Sequence, residues 1–315
     1  MKKIVFTLLF LSFFSLINAQ TDADNGDWKK RYVFLKNTSE AEYMIRYGDI
    51  DNLGFGWEQN FNPFSGKISG SHEWPMERKD STEIDGFDLV QLGTSFRNPE
   101  NAKEGYSGAL NYLLEKFGRT SFEFAIPLKG IDTSKIKNVS LQIFVDDFQA
   151  KAGSGSKFEF YINKKRYAPA EKLLNSLDQT GPIGKLITIP ISVERISDFK
   201  KDTLQLQIDD RTSGMGDGFA IDFFKILVNT KSLKKGTVAG KVLDANGKPV
   251  ANASISCNGE TVKSLPNGSY KLVNVPSGLA VITVTNVHNN AFYEKTFSFD
   301  VESGKDAVVD LQMDF

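Results

Sequence analysis

The chain has 315 residues, with 38 basic and 39 acidic side chains and a formal charge of −1. That balance supplies no field for nucleic acid, and the length exceeds one average domain, so two domains with a sizeable core are expected. Twenty-five phenylalanines and 26 glycines against ten prolines favour many short strands joined by tight turns over long helices.

At the amino end, Lys2 and Lys3 precede an almost wholly apolar stretch from Ile4 to Ile17. Ile17-Asn18-Ala19 ends in the small residue that signal peptidase requires, so residues 1–19 read as a secretory signal and Gln20 as the first mature residue. The apolar stretch is shorter than the roughly 20 residues that span a bilayer, and no later run reaches that length. The expected location is therefore secreted, periplasmic or at the cell envelope, with no transmembrane segment after signal removal. Cys257 is the single cysteine, which leaves folding outside the cytoplasm without an internal disulfide.

Residues 20–30 are polar and acidic and read as a flexible leader. From Arg31 onward, period-two alternation recurs at Tyr32 to Leu35, Phe122 to Ile126, Val139 to Val145, Phe158 to Ile162, Leu186 to Ile191, Leu204 to Ile208 and Phe219 to Val228. This patterning predicts strands with one buried face. In Val139 to Val145 the odd positions are uniformly aliphatic and should face the core. Helix is expected only at Asn101 to Phe117 and at Ala168 to Leu177, the latter starting near Pro169. Residues 230–236 are polar and basic, and the strand pattern restarts at Val238, so this segment reads as a linker between a domain at 31–229 and a second at 237–315.

Two acidic, glycine-punctuated stretches carry the most chemistry: Gly48 to Trp57, and Gly216 to Phe223. Asp49, Asp51, Asn52, Asp217 and Asp222 offer hard oxygen ligands on backbone that can turn sharply, which suits a structural Ca2+. The same residues also cap turns through hydrogen bonds to their own backbone. Asp222 interrupts an apolar strand, and an unpaired buried carboxylate is costly, so it needs a partner. A cation shared with Asp49 and Asp51 is one solution, and an ion pair with Arg46 or Arg211 is another. No glutamate stands at the twelfth loop position, so the EF-hand pattern is absent.

Trp57, Phe61, Phe64 and Trp74 fall in a stretch without strand alternation, where exposed rings can stack on sugar faces or can plug the open end of a sandwich. His72 and His288 are the only histidines and fall in different domains, which excludes a two-histidine zinc motif, and His72 reads as a loop residue. Glu83, Asp85 and Asp88 form one acidic cluster. Asp146-Asp147 and Asp209-Asp210 each follow an aliphatic strand. Two such carboxyls about 5 to 9.5 Å apart are what glycoside hydrolysis needs, although paired acids at strand ends are ordinarily solvated turn entries.

Gly240 to Ile255, with Asp244, Gly247, Pro249 and Ala253 at characteristic places, followed by Asn267-Gly268-Ser269-Tyr270 and Val275-Pro276-Ser277-Gly278, resembles the carboxypeptidase regulatory-like family of transthyretin-like β-sandwiches. Without the family, Asp244 to Gly247 already reads as a hairpin turn, and Ala253, Ile255 and Cys257 as an inward-facing set with the cysteine in packing. Ser264-Leu265-Pro266 replaces the aspartate that the family often carries before its Gly-x-Tyr element, which weakens any ligand role for that turn. Such modules resemble accessory and spacer domains of secreted proteins, and the peptidase of the family name is a separate domain whose motifs do not occur in this sequence. The larger domain resembles jelly-roll and galactose-binding-like sandwiches, and Leu177 to Lys185 is similar to segments of uncharacterised secreted bacterial proteins. Together these give an all-β protein, a jelly-roll-like sandwich followed by a smaller transthyretin/Ig-like sandwich. The expected role is non-catalytic binding or adhesion toward a glycan or cell-surface partner. The alternatives are a carbohydrate-active hydrolase using the paired aspartates, or a structural envelope protein without ligand.

Overall fold

The structure, a computed structural model, describes residues 21–74, 90–92, 114–116, 118–149, 155–179, 181–214 and 218–315. The expected signal, the Glu83, Asp85 and Asp88 cluster, Asp217 and nearly all of the helix expected at Asn101 to Phe117 lie outside the described residues. The chain is all-β. β1 (Thr21–Asp22) and β2 (Gly26–Asp27) form an N-terminal hairpin. The first module follows as β3 (Tyr32–Lys36), β4 (Ala41–Tyr47), β5 (Val90–Leu92), β6 (Glu123–Pro127), β7 (Val139–Asp146), β8 (Glu159–Ile162), β9 (Lys165–Arg166), β10 (Gly184–Ile191), β11 (Thr203–Asp209) and β12 (Gly218–Thr230). The helix α1 (Ala168–Leu174) lies between β9 and β10, started by Pro169 in its first turn, where a missing N–H costs nothing.

Two sheets face each other in this module. One runs β10-β7-β12-β4-β3, and the other β6-β11-β8-β9. The main core lies between them, contributed by alternate residues such as Leu141, Ile143 and Val145 of β7 and Leu204, Leu206 and Ile208 of β11. Phe148, Phe158 and Phe219 close one end, with ring centroids 4.4 to 5.4 Å apart. Truncating one of them, for example Phe219→Ala, removes about 3–5 kcal/mol of packing.

All eight residues of β7 are buried, not its odd positions alone. Phe144 on the outer face is covered together with Leu186 and Phe223 by a second cluster that contains Trp28, Ile50 and Phe64. The sheet is thus sandwiched on both faces.

Residues 21–30, expected to be a flexible leader, are instead bound to this outer side. The Arg46 guanidinium is fully buried and donates to the main-chain carbonyls of Asn25, Asp27, Lys30 and Gly48. Trp28 is buried, and its indole N–H donates to Asp22. One buried cation satisfied by four carbonyls ties the hairpin down, a charge-assisted arrangement that short polar sequence does not reveal.

The second module comprises β13 (Lys235–Leu243), β14 (Ser254–Cys257), β15 (Glu260–Lys263), β16 (Ser269–Pro276), β17 (Gly278–His288), β18 (Ala291–Val301), β19 (Asp306–Val308) and β20 (Leu311–Gln312). β15-β14-β17-β18 pack on β13, β16, β19 and β20 around Val238, Ile255, Leu272, Ile282 and Leu311. Gly247 donates to the Asp244 carbonyl, and the turn returns the chain to an antiparallel bridge between Leu243 and Pro249. Cys257 is buried, and burial pushes its thiol up to about 12, so it is packing and not a nucleophile.

Only residues 231–234 separate β12 from β13, yet the modules share a sheet. β17 joins β10 in parallel through Ile187 and Leu279, and Leu279 and Val281 belong to the first module's core. Lys185 reaches Asp300 at 3.1 Å, and the Ser303 N–H donates to the Ser65 carbonyl at 2.8 Å. Gly278 sits at the seam with φ +106°, where a Cβ would lie 2.2 Å from the Leu186 carbonyl oxygen. Only glycine permits that approach.

Candidate functional site

β4 pairs antiparallel with β12, with Tyr47 opposite Phe224. The chain leaving β4 through Gly48 therefore continues alongside β12 toward residue 222. There the β12–β7 register shifts between Ile221 and Phe223, which makes Asp222 the extra residue of a β-bulge. The bulge reverses the facing of the strand. Phe219 and Ile221 point into the main core before it, and Phe224, Ile226 and Val228 after it, so that Phe223 is delivered to the outer face. Bulges of this kind re-aim a side chain.

Asp222 is aimed at the acidic loop. Asn52 and Leu53 take left-handed φ values of 62° and 59°, and Gly54 and Gly56 values of 79° and 77°, which curls residues 51–56 back on themselves. Asp222 Oδ1 accepts the Leu53 N–H at 3.0 Å, Asp51 Oδ1 accepts the Gly54 N–H at 2.8 Å, and Asn52 Nδ2 donates to the Gly56 carbonyl at 2.9 Å. Leu53 then plugs into the main core. One oxygen of each of two side chains is left over: Asp222 Oδ2 and Asn52 Oδ1 are buried without a hydrogen-bond partner, in residues 1% and 4% exposed.

Burial, then the charge of Asp51 and after it that of Asp49, pushes the Asp222 carboxyl well above its ordinary range, against the opposing Leu53 N–H. Carboxylate, amide and carbonyl oxygens are the donor chemistry of a calcium-type ion. Against this, no group of three or more His, Cys, Asp or Glu side chains among the described residues is placed to hold a metal. The turn-capping role is visible in the Asp51 and Asp222 bonds, and the two orphaned oxygens are what it leaves unexplained. The ion pairs considered from sequence take other forms. Arg46 serves the N-terminal carbonyls, and Arg211 binds Asp209 at 2.9 Å.

The four aromatic residues do not form one exposed platform. Trp57 and Phe61 stack at 5.2 Å and are half-buried, with Trp57 edge-on to Phe144. Phe64 is buried against Phe223, with the Lys225 ammonium 4.4 Å from its ring centre. Trp74 packs on the main core instead. Trp57, Phe61 and Phe64 cover the outer face of the sheet. The signal for this was present in β7 and β12, which carry large apolar residues on both faces and so require a cover on each.

His72 lies where sequence gave no hint. Ser69 and His72 donate their N–H groups to the Gly184 and Pro182 carbonyls, running the loop beside the start of β10, next to Asp146 of β7. His72 Nε2 meets Asp146 Oδ2 at 2.9 Å, and Phe55 of the acidic loop stacks on the imidazole at 4.6 Å. Burial alone would lower the His72 pKa, but the Asp146 hydrogen bond and charge raise it. The other paired acids cap their own turns. Asp147 accepts from Gln149 and the Gly181 N–H, Asp209 from Arg211 and the Asp210 N–H, and Asp210 from the Lys157 and Ser213 N–H groups.

No helix among the described residues is long and apolar enough to cross a membrane. No curated protein matches the chain. Among solved structures, a Bacteroides uniformis protein to which carbohydrate binding is provisionally ascribed is 20% identical over 26% of this chain and 42% of its own, with a TM-score of 0.22. Catechol 1,2-dioxygenase from Acinetobacter is 11% identical over 27% and 53%, with a TM-score of 0.21. The major pilin subunit of Bacillus cereus is 16% identical over 62% and 65%, with a TM-score of 0.21. The chain spans less than half of the first of these and about half of the second, and likenesses this loose carry no argument about fold or role. The C-terminal strands are a different matter: residues 237–314 match the family model of the carboxypeptidase regulatory-like domain, and the second module is a domain of that kind.

Proposed function

We propose that this protein is an exported, non-catalytic binding or adhesion module of the cell envelope or its surroundings, with glycan as its ligand class and a structural Ca2+ at the acidic loop. The observation that supports the reading is the pair of buried, unpartnered oxygens, Asp222 Oδ2 and Asn52 Oδ1, beside a loop already bonded to the bulge of β12. A hard cation would satisfy both, offset the mutual repulsion of Asp222, Asp51 and Asp49, and fix the loop from which Trp57 projects. Trp57 and Phe61, stacked and half-buried, are the rings of this region that keep surface for a sugar face.

Two measurements test the reading. Thermal melts of residues 20–315 with chelator and with added calcium should differ, since a ligand bound only by the folded state adds about 2.7 kcal/mol at a hundredfold excess over its dissociation constant. An unchanged melting temperature removes the cation. A glycan array probed with calcium present should show binding that Trp57→Ala weakens, and a blank array for the wild type removes the ligand class.

A further inference from the structure

β17 shares one edge between two partners. Its first residues bridge to β10 at Leu279, and from Thr283 onward the same edge is taken by β14, where Ser256 faces Thr283 and Ser254 faces Thr285. Val281 falls between the two pairings. Here β10 draws away toward Pro190, which has no N–H to extend a ladder, and a groove of about 440 Å3 opens between α1 and the β14–β15 hairpin, with Val281 on its lining. Its walls are Tyr167, Leu173, Pro190 and Ile191 from the first module, and Ser256 and Cys257 from the second.

The groove has the size, apolar lining and position between modules typical of small-molecule sites, which span about 300–1,000 Å3. Its charge is one-sided. Lys172 of α1 is the charged side chain on the lining, and its ammonium donates to the Thr283 hydroxyl at the rim. The adjacent Glu171 does not neutralise it, because both Glu171 oxygens are held by Arg166 at 2.8 and 2.9 Å. Nor is Cys257 a competing anion, since burial keeps its thiol protonated.

We infer that this groove binds a small amphiphilic carboxylate, its apolar body lying over Val281 and Leu173 and its carboxylate paired with Lys172. Neutral and cationic molecules of the same length gain the apolar contact without the ion pair.

Isothermal titration of residues 20–315 with octanoate, 1-octanol and octyltrimethylammonium, all in chelator so that the calcium reading does not enter, tests the site. Octanoate should bind most tightly. Lys172→Met should weaken it about fivefold and bring it level with octanol, as expected for one partly exposed charge contact. Ser256→Trp, which fills the groove from the β14 wall, should abolish binding while leaving the melting temperature near that of the wild type. If that variant does not fold, Asn258→Trp in the hairpin turn carries the same test. Absence of octanoate binding, equal binding of the cationic analogue, an unchanged affinity in Lys172→Met, or full binding in the folded tryptophan variant overturns the proposal.

Discussion

The Asp222 carboxylate accepts the backbone N–H of Leu53 across 169 positions of sequence, at 3.0 Å and out of contact with water. The bond makes the bulge of β12 and the curl of the acidic loop one unit. A left-handed Leu53 is held in place by its side chain in the core and by this acceptor on its amide.

Replacing Asp222 by asparagine should therefore change sign with calcium. The folded carboxyl titrates well above its ordinary value of 3.8, so the folded state holds the extra proton and, without a cation, stability falls as pH rises from 3.8 through the folded value. Asparagine keeps an acceptor for Leu53 and carries no charge. In chelator near neutral pH, Asp222→Asn should melt at or above the wild type, and in calcium about 1–3 kcal/mol below it. Melts of both proteins across pH in the two buffers decide the matter, and parallel curves remove the cation.

The His72–Asp146 pair predicts a slope of the same sign, beginning near pH 6.5. The His72 pKa is raised above 6.5, so its contribution is complete below that pH and is lost as pH rises through the folded value. Asp146→Asn should cost about 1–3 kcal/mol at acidic pH and progressively less in alkaline buffer. A histidine proton resonance titrating at or below 6.5 in the wild type contradicts this.

Lys225 is fully buried and meets Glu40, with Phe64 beneath the ammonium. Burial lowers the lysine pKa, and Glu40 opposes that shift. Glu40→Ala should destabilise by about 3–5 kcal/mol by stranding the ammonium, whereas Glu40→Leu combined with Lys225→Met should lie near the wild type. Denaturant unfolding of the three proteins makes the comparison, and equal losses in single and double variants contradict it.

Gly278→Ala should disturb the seam between the modules. With φ +106° and a Cβ 2.2 Å from the Leu186 oxygen, the cost is on the order of 1–3 kcal/mol, and it should appear as faster amide exchange at Leu279 and neighbouring positions of β17. Wild-type protection there would show that the approach can relax.

Much of this was legible in the chain. Alternation located the seven strands named for the first module, Pro169 opened α1, and Ala253, Ile255 and Cys257 point inward as their spacing implied. The need for a partner to Asp222 was also legible, because an acid in an apolar run is costly anywhere. Its answer was not, because a bulge leaves no mark on the residues that form it, and the answering group is a backbone amide with no side-chain signature. The aromatic stretch was misleading for a related reason. Trp57 and Phe64 look like loop residues until Phe144 and Phe223 are seen to leave the outer face of the sheet in need of a roof.

The seam at Ile187 and Leu279 leaves the second module no swivel. Residues 231–234 are pinned on both sides, with Lys231 donating to the Glu40 carbonyl and Lys234 accepting from the Ser277 N–H. They cannot act as the entropic tether that a short basic spacer suggests. Displacing one module from the other would break the Ile187–Leu279 pairing, the Lys185–Asp300 ion pair and the Ser303–Ser65 hydrogen bond together.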